Sequence, residues 1–294
     1  MEYVLGIDVG GTDIKHGLID SEGTLTRFGS TPTPQGDPYA RRLIPTLQGI
    51  VEDCQDAGLR AVGVAIPGLV TEHGVVEFSG TLGFRDLDVL SLLAEAIDKP
   101  VGLIHDVTAG GLAESRLGAA QGTSCAVLIQ IGTGLAASVI LNGSVHHPHP
   151  AVGEIGHAPT GSDRPCPCGL TGCLEMSASG GAMARNYTSL TGDIVRAQEI
   201  FQRASAGEEA ALDVVKEFVD SLAMAVVWIS SLMGPEVVIL SGGLSAAGDR
   251  LTGLLGAEID RRISVHRRPR LAVSHLRESA GCVGAGLHAW NQLA

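Results

Sequence analysis

Apolar residues alternate or cluster in short blocks that read as strands over 3–8 (YVLGID), 13–20 (DIKHGLID) and about 24–31. The first two are joined by a tight turn at Gly10-Gly11. Helical spacing over 38–57 leads to a buried-strand pattern, AVGVAIP, at 61–67. A helix is predicted over 87–98, a strand over 101–106 (VGLIHD), and a helix over 107–119, followed by strands at 124–131 and 135–142. From 143 to 175 the pattern dissolves into Gly, Pro, His and Cys. An aperiodic stretch of that length inside a compact chain marks a functional segment. Helices return at about 195–206 and 208–232, then a strand at 236–242, a helix near 248–262, a strand near 270–275 and a helix over 280–292. The alternation predicts an α/β fold with a strand-rich opening meander.

At 294 residues the chain suits two lobes with a shared cleft rather than one simple core. Apolar residues make up 45% but aromatics only 3%, so a ligand site must rely on polar groups and backbone. The net charge of −12 and the absence of any Lys/Arg-rich run exclude a nucleic-acid surface. No stretch of about 18 apolar residues is present, and the strand pattern begins at once, which leaves no signal peptide. The expected location is the cytoplasm, away from membranes, where thiols stay reduced.

Glycine-rich turns carry the first chemistry. In Asp8-Val9-Gly10-Gly11-Thr12, glycine lets backbone approach phosphate oxygens, Thr12 can donate a hydrogen bond, and Asp8 can hold Mg²⁺ through water. Ile131-Gly132-Thr133-Gly134 repeats the device after a second apolar strand. Either alone is also an ordinary hairpin turn. Gly242-Gly243 ends the strand EVVILSG, where a flat adenine could lie against backbone or the chain could simply turn into a helix. Neither a G-K-[ST] loop nor a helix-opening G-x-G-x-x-G occurs.

Three of the six cysteines, Cys166, Cys168 and Cys173, crowd into eight residues. With His157 they form a closed N/S₃ set suited to structural Zn²⁺ that leaves no open position for catalysis. A disulfide is disfavoured by the odd count and the reducing compartment. Cys54, Cys125 and Cys282 read as small core residues. Asp106, ending a strand, reads either as an acceptor for a hydroxyl proton or as the N-cap of the following helix. His146, His147 and His149 read as a polar loop rather than a second metal site.

The segments DVGGTDIKHGLID, AIPGLV, IGTG, GEIGH, CPCGLTGC and VVILSGG, in this order, resemble the ROK family of repressors, open reading frames and sugar kinases. The resemblance implies a two-lobe actin-like ATPase (ribonuclease-H-like) fold with a zinc-stapled loop. It implies a small lobe over 1–105 that also takes in the helix at about 280–294, a large lobe over 106–279, and assembly as homodimers or homotetramers. It implies ATP and Mg²⁺ as cofactors and Asp106 as the catalytic base. Glu154 and Glu175 would grip sugar hydroxyls, and His157 would offer one ring nitrogen to zinc and the other to sugar. Three positions depart from the family pattern, where asparagine is usual: His105, Thr108 and Thr81. Asparagines at the first and last of these usually contact the sugar near its C3 and C4 hydroxyls. The expected activity is an ATP-dependent hexose kinase acting on the 6-hydroxyl of glucose or a glucose-like sugar. Alternatives are an amino-sugar kinase (for kanosamine or an N-acylhexosamine) and a non-catalytic sugar sensor. A repressor is disfavoured, because Asp8 lies too near the start for a preceding DNA-binding domain.

Overall fold

The computed structural model describes residues 2–55 and 58–293. Two compact units divide the chain: Met1–Leu117 with His147–Val152 and Ser279–Ala294, and Gly118–His146 with Gly153–Glu278.

In the first unit, β1 (Tyr3–Val9), β2 (Asp13–Ile19) and β3 (Leu25–Pro32) form the antiparallel meander. Helix α1 (Leu43–Glu52) then leads to β4 (Leu59–Ile66). A separate small sheet is built from β5 (Leu69–Val70), β6 (Val75–Ser79) and β7 (Phe84–Asp88). Helix α2 (Val89–Ala96), β8 (Val101–His105) and α3 (Asp106–Leu117) follow. The main sheet has the order β3-β2-β1-β4-β8, with β1, β4 and β8 parallel. One face buries Leu5, Ile7, Val62 and Val64 against Leu43, Leu47 and Ile50 of α1. On the other face lies the closing helix Ala280–Leu293, where the Cys282 thiol donates to the Gly6 carbonyl at 3.2 Å. A Cβ at Gly284 would strike the Ala109 carbonyl, so glycine sets how closely this helix approaches α3. That contact keeps α3 in the first unit, although the family resemblance set the boundary before Asp106.

The second unit has the sheet order β11-β10-β9-β12-β13, from β9 (Cys125–Ile131), β10 (Leu135–Leu141), β11 (Ser144–Val145), β12 (Val237–Ser241) and β13 (Arg270–Val273). Its helices are α4 (Glu175–Ala178), α5 (Gly180–Thr191), α6 (Ala197–Ser205), α7 (Glu209–Met233) and α8 (Gly248–Asp260). Helix α7 buries Ala211, Val214, Val215, Phe218 and Leu222, the stripe expected of an amphipathic helix on a core. Among the described residues no helix is long and apolar enough to cross a membrane.

The structure corrects several boundaries. The helix expected over 38–57 starts later, because the Asp37 carboxylate accepts the amides of Arg41, Arg42 and Leu43 and caps it there. It ends at Glu52, and positions 56 and 57 lie outside the described residues. The helix expected over 87–98 begins only after Asp88, whose side chain accepts the Ser91 amide. Residues 84–88 are strand instead. Cys54 and Cys282 are buried, whereas Cys125 opens β9 and is only partly covered.

Candidate active site

Asp8 lies near the C-terminal end of β1 and Asp106 just past the end of β8, with β4 between them. Two strand spacings separate the outer strands by roughly 10 Å, the kind of crevice at strand carboxyl ends where open α/β sheets bind ligands. Burial pushes the Asp8 carboxyl up to about 7, the negative charge of Asp106 adds to the rise, and Lys15 opposes it. A cation at this position would restore the Asp8 charge.

The first glycine turn is held from one side. The Gly10 carbonyl accepts from Thr33 Oγ1 at 2.7 Å, that of Gly11 from Gln35 Nε2 at 2.7 Å, and that of Thr12 from the Thr33 amide at 2.8 Å. With these carbonyls engaged, the Gly11 and Thr12 amides remain for an anion. Thr81 lies over Gly11.

Asp106 opens α3, and its Oδ1 accepts the Val107 amide at 2.8 Å, so the capping role is realised locally. The same oxygen lies 3.0 Å from Nε2 of His105, whose side chain is 4% exposed. His105 Nδ1 lies 3.2 Å from the Thr108 hydroxyl. In the neutral ring, Nε2–H donates to Asp106 and the Thr108 O–H donates to Nδ1. Two of the three departures from asparagine therefore bond to each other and to the carboxylate. His147 lies in a loop, as expected, and stacks on His105 with centroids 5.9 Å apart and planes 23° apart.

In the second unit, the Gly132–Gly134 turn and the Gly242-Gly243 turn end the adjacent parallel strands β9 and β12. Gly242 has φ +86°, and a Cβ there would strike the Ile131 carbonyl, so only glycine brings the two turns together. The Gly132 carbonyl accepts the Gly180 amide at 2.9 Å, seating the N-terminus of α5 on the turn. Ser179 caps α5 through the Ala182 amide. The positive end of this helix dipole is suited to an anion and was not anticipated from the sequence. Its signal was the Ser-Gly-Gly of 179–181, a helix cap without a strong apolar stripe behind it. Beside Gly243, whose carbonyl accepts from Gln198 at 3.1 Å, opens a groove of about 650 Å³ lined by Arg196, Gln198, Gln202 and Arg203.

Glu175 Oε2 accepts the Leu135 amide at 2.9 Å, tying α4 to the chain leaving the 132–134 turn. Glu154 precedes a 3-10 turn, Ile155–His157, and its Oε2 lies 3.9 Å from His157 Nε2. The other ring nitrogen, Nδ1, faces Cys166 Sγ at 3.8 Å, and Cys168 and Cys173 sulfurs are 3.6 Å apart. The four ligand atoms lie within 4.8 Å of one another. Around tetrahedral zinc, bond lengths of about 2.3 Å to sulfur and 2.0 Å to nitrogen give edges of about 3.8 Å and 3.5 Å. The observed spacings fit that ion. Backbone pairing of Pro159 with Cys173 and of Pro165 with Thr171 folds the loop around the cluster. Burial pushes the Cys173 thiol up to about 12, and the neighbouring sulfurs reinforce the shift, so the thiolates call for a cation.

The structure thus groups Asp8, Thr12, Thr81, His105 and Asp106 within the first unit. It groups both remaining glycine turns, Glu154, Glu175 and the His157–cysteine cluster within the second. The ROK family profile matches residues 4–291. A glucokinase of Halalkalibacterium halodurans is 30% identical, the match covering 97% of this chain and 94% of that protein. An N-acetylgalactosamine kinase of Shewanella sp. is 25% identical over 96% of this chain and 95% of its own. Among solved structures, a ROK family glucokinase from Streptomyces griseus in complex with glucose and AMPPNP superposes with a TM-score of 0.88 at 26% identity, covering 98% of this chain and 99% of that one. The mixed two-sheet architecture is therefore that of the actin-like ATPases, and the chain belongs to the ROK family.

Proposed function

We propose that this ROK-family sugar kinase transfers the γ-phosphoryl group of ATP to the 6-hydroxyl of glucose or a closely related hexose, with Asp106 as general base. The sugar oxygen attacks the γ-phosphorus, its proton passes to the Asp106 carboxylate, and the bond to the β-phosphate oxygen breaks to release ADP. The observation that carries this reading is the pair of carboxylates at the carboxyl ends of β1 and β8, electrostatically opposed to each other. One is suited to a cation and the other to a proton. Asp8 would hold Mg²⁺ through water, and bound magnesium would offset phosphate charge. The turns Gly10-Gly11-Thr12 and Gly132-Thr133-Gly134 would cradle phosphates, joined by the N-terminus of α5, and Gly242-Gly243 would lie against adenine.

Glu154, His157, Glu175 and Thr81 are assigned to the sugar. For Glu175 this leaves one carboxylate oxygen tied to Leu135 and the other for a hydroxyl. Zinc held by His157, Cys166, Cys168 and Cys173 would fix the imidazole whose second nitrogen faces Glu154. The family resemblance favours a homodimer or homotetramer. The proposed location is the cytoplasm, where the cysteines would stay reduced.

An amino-sugar substrate is a second reading, supported by His105. Both of its ring nitrogens are engaged, with Thr108 and Asp106, so the position presents the sugar with different polar groups from an asparagine amide. Phosphorus–proton correlation NMR of the product tests the transfer. The phosphate is expected on the C6 oxygen, and a phosphate on the anomeric oxygen, or none on the sugar, would refute the assignment.

A further inference from the structure

His147 belongs to the segment 147–152 that packs with the first unit. The segment is stiff: Pro148 and Pro150 fix two backbone angles. His149 accepts the Ala151 amide on its Nδ1 at 3.1 Å and the Val152 amide on its carbonyl at 2.9 Å. The His147 ring stacks on the buried His105, which reaches Asp106 through its Nε2. Pro150, which offers only a backbone carbonyl, favours the protonated form of the ring and so attracts a ring N–H. Burial and then the neighbouring His105 hold His147 below the ordinary histidine range, so the ring is neutral near pH 7. Its Nε2 is buried and has no hydrogen-bond partner. With the proton on the nitrogen that faces Pro150, Nε2 carries a lone pair and can only accept. A buried acceptor left unpaired is costly and calls for an explanation. Here it lies one ring stack and one hydrogen bond from the carboxylate assigned as base.

We infer that His147 is a substrate-binding residue whose Nε2 accepts a hydrogen bond from a hydroxyl or amine of the sugar held at Asp106. The inference rests on the kinase reading for the placement of the sugar. It makes His147 a specificity determinant: sugars presenting a donor at that point bind, and deoxygenated or O-methylated analogues lose the contact.

His147→Phe is the discriminating variant, since it keeps a ring stacked on His105 and removes Nε2, together with the ring N–H that faces Pro150. ADP release with glucose and with its 2-, 3- and 4-deoxy analogues is to be compared in the wild type and this variant. A single hydrogen bond is worth roughly tenfold in binding. The KM for glucose should rise about tenfold in His147→Phe with kcat nearly unchanged. One deoxy analogue should show that same loss in the wild type and no further loss in the variant. His147→Gln, which restores an acceptor, should recover part of the affinity. Ligand-free His147→Phe should melt within a few degrees of the wild type, because the unpaired acceptor and the interaction with Pro150 are removed together. An unchanged KM, a deoxy penalty equal in both proteins, or a much lower melting temperature would overturn the inference. If the wild type turns over no sugar, the kinase reading fails, and calorimetric titration of glucose decides this point separately. About tenfold weaker binding in His147→Phe supports it, and equal or undetectable binding in both proteins overturns it.

Discussion

At the scale of single residues, the chemistry depends on carboxylates whose charge is set by their surroundings. Asp8 is pushed up to about 7 mainly by burial, far above its ordinary value of 3.8. The folded chain therefore binds a proton here that the unfolded chain has already lost, and this contribution to stability falls as pH rises from about 4 through 7. Asp8→Asn should raise the melting temperature of nucleotide- and magnesium-free protein by on the order of a few degrees at pH 8. At pH 4 it should leave the melting temperature nearly unchanged. A melting temperature lowered at pH 8 would show that the charged form is stabilised in the apo protein. The same variant should lose turnover if Asp8 holds the cation. Asp8 and the cysteines were legible in the sequence because their signals are local, a turn after a strand and a tight spacing. His147 was not: its partner His105 lies 42 positions away, and only the fold stacks the two rings.

At the scale of elements, the zinc loop shows how an aperiodic segment acquires a shape. Residues 157–175 contain one short turn, two isolated bridges and the ligand cluster, with little apolar surface of their own to hold them. The metal would supply that order, as in small zinc modules where binding free energy is folding free energy. Purified protein should carry about one zinc per chain by elemental analysis. Cys173→Ser should lose it and weaken sugar binding on the order of ten- to a hundredfold, because His157 and Glu154 lose their fixed orientation. ATP binding, assigned to other turns, should survive. Full zinc loss with sugar affinity intact would separate the cluster from the sugar. The cluster was readable in the sequence, whereas the small β5-β6-β7 sheet was not, since strands of two to five residues are too short to show a period. Helix α5 escaped for another reason: GGAMARNYTSLT buries only Ala182, Met183 and Tyr187, so its apolar signal is thin.

At the scale of the whole molecule, the chain returns to where it began: the closing helix packs beside β1 and β4, and its Gly284 meets α3. This arrangement depends on contacts between residues nearly 280 positions apart, such as Cys282 to Gly6, which periodicity does not show. The architecture was nonetheless legible, because the motif order carried the family even where single boundaries moved. The molecule as a whole is expected to carry one activity. Mg-ATP should be converted to ADP only in the presence of a hexose, tested across glucose, mannose, fructose, N-acetylated hexosamines, glucosamine and kanosamine in a coupled assay, with Asp106→Asn alongside. Turnover with glucose or a glucose-like sugar, falling about 10²- to 10⁴-fold in Asp106→Asn while ATP still binds, is the predicted result. ADP release that ignores the sugar, or that persists undiminished in Asp106→Asn, would contradict it.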